Sequence, residues 1–388
     1  MELLTKEEGL QYLQDALGIP ISEVPNFSEK SVSAETKLSF LETLLRAFLA
    51  REPFQSIYLM SDEIINRRRP TWDEIKRDLL LGRGGLCYWQ NAFMYALLTS
   101  LGLNAGMTYS SFNTEVKCPD DHLIVLLHDL VAPGSLHLVD AGLGCFIPHA
   151  VPLDFTKESQ VYTDSFMTYK FCKESENKFY MKKRVPADTP PPISNGVETK
   201  ETNQQYIWSW VHYFNPQISL KTLEPFFACF DNVFTNITQL SSHTSPRSMC
   251  WPNGRLLALV NSKLIQENDD GILIKTSIIE PIVRANPSIP SQNNSGLTNG
   301  AENNSPEASS DVSQNTLNKT PEKIPSTNTN NEQGKHTEDQ NKHNIPDFEP
   351  LLQAYEKYFP QLPTEMVLAA LKNWTLTAPL FSVPQHLA

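Results

Sequence analysis

The sequence predicts an α+β fold in which helices come first and strands follow, and three observations along its 388 residues predict it. From Leu3 to Leu103, apolar residues recur at helical spacing. Beyond Ala105 that rhythm gives way to β-type runs such as Leu123-Ile124-Val125-Leu126-Leu127 and Leu136-His137-Leu138-Val139. Residues 285–345 then carry Asn, Ser, Thr, Pro, Glu and Lys with almost no large apolar side chains, and an apolar pattern resumes at Phe348.

Taken in order, Leu10, Leu13 and Leu17 mark a first helix, and Leu38, Leu41, Leu45 and Leu49 a second. Thr71-Trp72-Asp73-Glu74 reads as a capping box opening a short helix through Ile75 and Leu79. Gly82-Arg83-Gly84-Gly85 must stop that helix, and a new apolar one starts near Cys87 and runs to Gly102. The two β runs flank a loop containing Pro133-Gly134. Short strands continue to Tyr206-Ile207-Trp208-Ser209-Trp210, interrupted by a polar loop around Pro190-Pro191-Pro192. Pro216 to Val283 mixes helical and strand signals, with Leu256 to Val260 the clearest strand. Residues 285–345 cannot bury enough surface to order themselves and are expected to form a disordered insert, followed by one C-terminal helix. The expected domains are 1–104, helical; 105–212, strand-rich; and 213–284 with 346–388, mixed around the insert.

Bulk properties narrow the function classes. A net charge of −12 argues against general nucleic-acid binding. No apolar run approaches the length of a membrane span, and the acidic, helical N-terminus lacks a signal peptide's pattern, so a cytoplasmic protein is expected. Six scattered cysteines with no CxxC pair and no metal-ligand spacing imply free thiols and no metal. Arg67-Arg68-Arg69 reads as a solvated loop.

The candidate chemistry begins at Cys87, placed after a glycine-rich turn at the first turn of a helix. Unpaired N–H groups and the helix dipole there favour a thiolate, although a cysteine so placed is more often a packing residue. If the hairpin pairs symmetrically about Val131, positions summing to 262 face each other and His122 lies opposite Asp140. A carboxylate beside an imidazole fixes its tautomer and stabilises the imidazolium, which is what a cysteine nucleophile needs; a purely structural pair would look the same. His137 reads as a packed strand residue, and His128 and His149 as loop residues without a useful acidic partner. Gly142 and Gly144, directly after Asp140, let the backbone approach a ligand closely.

Together these residues resemble the arylamine N-acetyltransferase family. The family's Arg-Gly-Gly-x-Cys, with Asn four residues on, is matched by Arg83-Gly84-Gly85-Leu86-Cys87 and Asn91. Its histidine opens an apolar strand, as His122 does, and its Val-Asp-Ala-Gly-Phe-Gly is matched by Val139 to Gly144. The resemblance implies a helical domain, a β-barrel and an α/β lid around a papain-like core, with catalytic Cys87, His122 and Asp140. It implies an acyl-CoA donor, acetyl-CoA first of all, as substrate. The implied reaction is ping-pong transfer through acyl-Cys87 to the nitrogen of an arylamine or related amine, in xenobiotic metabolism. No metal, nucleic acid or membrane is implied, and a monomer is expected. The match departs at Trp89, where the family has Glu or Gln, and at Pro53-Phe54-Gln55-Ser56, where it has Pro-Phe-Glu-Asn. It departs also at Cys118 and Pro119, where animal members carry small residues that touch CoA, and at Leu143, which replaces an aromatic. A papain-like cysteine hydrolase or transglutaminase, and a non-catalytic binding protein that retains the fold, are the alternative readings.

Overall fold

The computed structural model describes residues 3–29, 31–112, 119–187, 206–238, 240–279 and 347–377. The expected insert at 285–345, the Pro190–Pro192 loop and Cys118 lie outside the described residues. Helix α1 (Lys6–Gln11) opens on a capping box between Thr5 and Glu8. Helix α2 (Ala34–Arg51) is capped by Ser33, whose hydroxyl accepts from Thr36 N–H. Its buried stripe is Phe40, Leu41, Leu44, Leu45, Phe48 and Leu49, one face at helical spacing, while Leu38 stays exposed. After the two-residue strand β1 (Phe54–Gln55) comes α3 (Ile57–Ser61), then α4 (Trp72–Leu80), which opens on the capping box at Thr71 and Glu74.

Helix α5 (Cys87–Ser100) differs from the others in being buried nearly all round, with only Thr99 outside the core. A helix apolar on every face must sit inside the protein. It packs on β2 (Asn104–Phe112) and β3 (His122–His128), so its first residue is carried to the strand that His122 opens.

The strands β4 (Leu136–Val139), β5 (Val151–Pro152), β6 (Tyr162–Asp164), β7 (Met167–Ser175), β8 (Lys178–Pro186) and β9 (Tyr206–Phe214) join β2 and β3 in one antiparallel sheet. Its order is β5-β4-β3-β2-β9-β8-β7-β6. Side chains from both ends of that order, Val151 and Tyr162 among them, share one core with Ile124, Leu126, Phe171 and Phe214, so the sheet curls around it. Among the described residues β5 and β6 do not pair, and the sheet is an open half-barrel where a barrel was expected.

Helix α6 (Phe227–Thr235) lays Phe230, Val233 and Phe234 into the same core as α5. Strands β10 (Arg247–Cys250), β11 (Leu257–Val260), β12 (Lys263–Glu267) and β13 (Leu273–Ser277) follow and pair in the order β1-β10-β11-β12-β13. Phe54 is thus bonded to Met249 on one side and forms a parallel bridge to Gly85 on the other, which ties the second sheet to the turn before Cys87. Two helices close the described chain, α7 (Glu349–Tyr358) and α8 (Thr364–Thr377), where one was expected. Their buried faces, with Leu351, Tyr355, Leu371 and Trp374, cover Ile57 and Met60 of α3. Each fully buried Leu or Phe of these faces contributes about 1.5–3 kcal/mol. All described residues belong to one compact unit, and none of its described helices is long and apolar enough to cross a membrane.

Candidate active site

The turn before Cys87 is fixed by its glycines. Gly84 has φ +63°, and a Cβ there would lie 1.9 Å from the Pro53 carbonyl oxygen. Neither the dihedral nor the space admits another residue. Gly85 donates to Pro53 O at 3.0 Å and accepts from Gln55 N at 3.1 Å. Beneath the turn, the buried Glu52 carboxylate accepts from Gly84 N at 3.2 Å and from the Tyr12 hydroxyl at 2.8 Å, with Arg51 paired to it. Burial pushes the Glu52 carboxyl up to about 7, against the opposing pull of Arg51, Tyr12 and Gly84 N–H. Arg83 reaches Asp78 at 3.5 Å, and its carbonyl accepts from Gln55 Nε2. Leu86 is extended and no side chain caps α5, so Cys87 stands first on a bare helix N-terminus.

Opposite that terminus, His122 Nε2 lies 2.8 Å from Asp140 Oδ2, both side chains fully buried. Asp140 Oδ1 accepts from Asn91 Nδ2 at 2.8 Å and from Gly142 N at 3.2 Å. Asn91, one helical turn beyond Cys87, also donates to Leu123 O and accepts from Ala141 N at 2.9 Å, so it stitches α5 to β3 and to the loop after β4. Gly142 passes over the helix start so closely that a Cβ would meet Cys87 O at 2.8 Å and Cys87 Cα at 2.9 Å. Gly144, at φ +72°, rests against the Phe54 ring. Cys87 Sγ is 3.9 Å from the Asp121 carbonyl oxygen, and its side chain lies near enough to His122 to raise that ring's basicity. At ordinary hydrogen-bond geometry His122 Nδ1 has no partner among the described residues. Cys87, His122, Asp140 and Asn91 are therefore brought together, with Gly142 against them.

The hairpin register differs from expectation. Val125 pairs with Val139, Leu126 with Leu138 and Leu127 with His137, so paired positions sum to 264. The loop is centred on Ala132: Asp129 N donates to Ser135 O, and Gly134, at φ +80°, donates to Asp129 Oδ1 at 2.7 Å. Continued to position 140, this register sets Asp140 opposite Ile124, two residues from His122. The two side chains meet diagonally across the pair.

Charge in this site follows from burial and pairing. Burial opposes the charged form of His122, but the Asp140 charge and hydrogen bond, then Cys87, outweigh it and raise the pKa well above the usual imidazole value. Burial likewise works against an ionised Asp140. His122, His212 and Asn91 outweigh it, and its pKa falls below the ordinary carboxylate value.

One buried residue here escaped the sequence analysis. His212, on β9, has Nδ1 2.7 Å from Ser110 Oγ and Nε2 4.0 Å from Asp140 Oδ2. The signal was the run Val211-His212-Tyr213-Phe214, which extends the strand up to Asn215-Pro216. His137 is buried, as its apolar neighbours suggested, and His128 bonds Ser219. His149 does have an acidic partner: Nε2 lies 3.0 Å from Asp164 Oδ2, a hydrogen-bond contact formed across 15 residues. The three arginines lie in a loop that is solvated only in part, with Arg68 exposed. Arg67 is buried against His243, Arg68 pairs with Glu74, and Arg69 pairs with Asp231 while lying 3.7 Å over the Phe227 ring. Of the departures, Trp89 is a core residue wedged between Tyr58, Phe234 and Gly85. Leu143 is buried in the half-barrel core, and Pro119 is exposed in a turn.

The family profile of the N-acetyltransferases matches residues 37–280. No curated protein matches the chain. Among solved structures, the fold is similar to the arylamine N-acetyltransferase from Salmonella typhimurium, at 14% identity and a TM-score of 0.51, over 70% of this chain and 86% of that one. It is similar as well to arylamine N-acetyltransferase C from Bacillus anthracis, at 15% identity and 0.50, over 69% and 92%. The enzyme from Mycobacterium abscessus matches at 14% identity and 0.50, over 69% and 84%. With the profile spanning well over half of its length, the chain belongs to the arylamine N-acetyltransferase family and is a divergent acyl-transferring enzyme of it.

Proposed function

We propose that the enzyme transfers a short acyl group, acetyl first of all, from acyl-CoA to an amine nitrogen through an acyl-Cys87 intermediate, with His122 as acid–base and Asp140 as its orienting carboxylate. The observation that carries this reading is the buried 2.8 Å contact between His122 Nε2 and Asp140 Oδ2, with the Cys87 side chain beside the same ring.

The chemistry follows from that order of groups. His122 takes the Cys87 proton, and the thiolate forms a bond to the thioester carbonyl carbon. The bare first turn of α5 supplies N–H groups for the negative charge on oxygen. Collapse breaks the bond between carbon and the CoA sulfur, which takes the proton from the imidazolium as it leaves. An amine then attacks the acyl carbon and gives a proton to His122, which returns it to Cys87 as the amide departs. Asp140, held by Asn91 and Gly142, keeps the ring in the tautomer that makes this possible. An arylamine is the acceptor class that the family suggests.

Steady-state kinetics with acetyl-CoA varied at several fixed arylamine concentrations test this. Parallel double-reciprocal lines are expected, with activity lost in Cys87→Ser at unchanged circular dichroism. Converging lines, or a serine variant as active as the wild type, would overturn the reading.

A further inference from the structure

Asp140 stands between two buried imidazoles. One is His122, 2.8 Å from Oδ2; the other is His212, whose Nε2 faces the same oxygen at 4.0 Å. The rings themselves are 5.6 Å apart at 65°. His212 is fully buried, and its Nε2 has no hydrogen-bond partner among the described residues. A buried ring nitrogen without a partner is costly unless something nearby favours it. Here the favouring group is a carboxylate held in its charged form.

The tautomer follows from the neighbours. Ser110 Oγ lies 2.7 Å from His212 Nδ1 and 3.0 Å from Tyr213 O. If the hydroxyl donates to Tyr213 O, Nδ1 must carry the ring proton, and the Nε2 lone pair points at the Asp140 carboxylate. If the hydroxyl donates to Nδ1, the proton sits on Nε2 and faces that charge. The second arrangement gives up the Ser110–Tyr213 bond but turns a proton, and not a lone pair, toward the buried charge, which is the electrostatically favoured choice in a site of low dielectric. The titratable groups facing the ring are His122 from β3 and Asp140 from the loop after β4, with Cys87 beyond His122. Ser110 on β2 and Met181 on β8 bring no charge. Burial holds the His212 ring in its neutral form, its pKa lowered to about 3, so it offers Asp140 a dipole and not a second cation.

We infer that His212 is a positioning residue: its Nε2–H shares the Asp140 Oδ2 charge with His122 and thereby moderates how tightly His122 holds its proton. The inference rests on the proposed roles of Cys87, His122 and Asp140. A carboxylate relieved of part of its charge is a weaker counter-ion, so the imidazolium releases its proton more readily at the step that needs it.

The test is the pH dependence of Cys87 alkylation by iodoacetamide, followed by intact mass. Comparison of the wild type with His122→Gln tests the underlying reading: an upper inflection present in the first and absent from the second is expected, and its presence in both would remove that reading. His212→Phe tests the inference itself, and its upper inflection should move up by about half a pH unit or more. His212→Gln, whose amide N–H reaches the position of Nε2, should restore the wild-type value. An unmoved inflection in the phenylalanine variant, or a glutamine variant displaced as far, would overturn the inference. If the phenylalanine variant does not fold, His212→Asn keeps a polar group but cannot reach Asp140. It should show the upward shift, and an unshifted inflection there would be equally decisive against the inference.

Discussion

Gly142 and Cys87 are in backbone contact: a Cβ on the glycine would sit 2.8 Å from the cysteine carbonyl oxygen and 2.9 Å from its Cα. The start of α5 and the loop after β4 therefore hold each other at a spacing that only glycine allows. Gly142→Ala must push the two elements apart, because backbone atoms cannot rotate out of the way. We expect a destabilisation of about 1–3 kcal/mol. An activity loss on the order of 100-fold should accompany it, from misplacement of Cys87 against His122. Thermal melts and acyl-transfer assays check both; an alanine variant of wild-type activity would contradict this account of the contact.

Asn91 serves three buried groups at once, Asp140 Oδ1, Leu123 O and Ala141 N. Asn91→Ala leaves the last two unpaired and takes one of two Oδ1 donors from Asp140. We expect a cost on the order of 3 kcal/mol in urea unfolding, with transfer activity falling further than stability alone explains. A variant destabilised by less than about 1 kcal/mol would show these bonds to be incidental.

The His122–Asp140 pair gives stability a defined pH dependence. Asp140's pKa is depressed, so its contribution is present above the ordinary value of 3.8 and lost as pH falls through the folded value. His122's pKa is raised, so its contribution is full below 6.5 and lost as pH rises through the folded value. The melting temperature of the wild type should therefore exceed that of His122→Gln most between these limits. The gap should narrow as pH rises above 6.5; a gap that widens toward alkaline pH would reverse the assigned sign.

Glu52 works in the same sense through burial. Its carboxyl titrates at about 7 in the fold against an ordinary 4.5, so the stability associated with its proton is full below 4.5 and lost as pH rises through about 7. Glu52→Gln keeps an acceptor for Gly84 N and Tyr12 and has no charge to bury. The variant should gain on the wild type across that interval, and parallel melting curves at pH 4.5 and 7.5 would count against it.

Much of this arrangement was legible because it depends on local rules. The capping box at Thr71, the glycine stop at Gly82 and the helix start at Cys87 are each written in a few adjacent residues, and the structure has all three. What escaped depends on distance. The hairpin register turned on how Asp129 and Gly134 close the loop, a two-position difference in pairing sum that hydrophobic runs cannot report. His149 and Asp164 meet only because the half-barrel curls β6 back toward the loop after β4. His212 lies just past the strand read at Tyr206 to Trp210, and its meaning comes from Ser110 beside it and Asp140 across the site. Likewise Arg67 is buried by His243, 176 positions away.

The most direct test of the account is the intact mass of the protein after brief exposure to acetyl-CoA. A single added acetyl group on the wild type is expected, discharged by an arylamine and absent from Cys87→Ala. An adduct that persists in the alanine variant, or no adduct with acetyl-, propionyl- or malonyl-CoA, would contradict acyl transfer through Cys87.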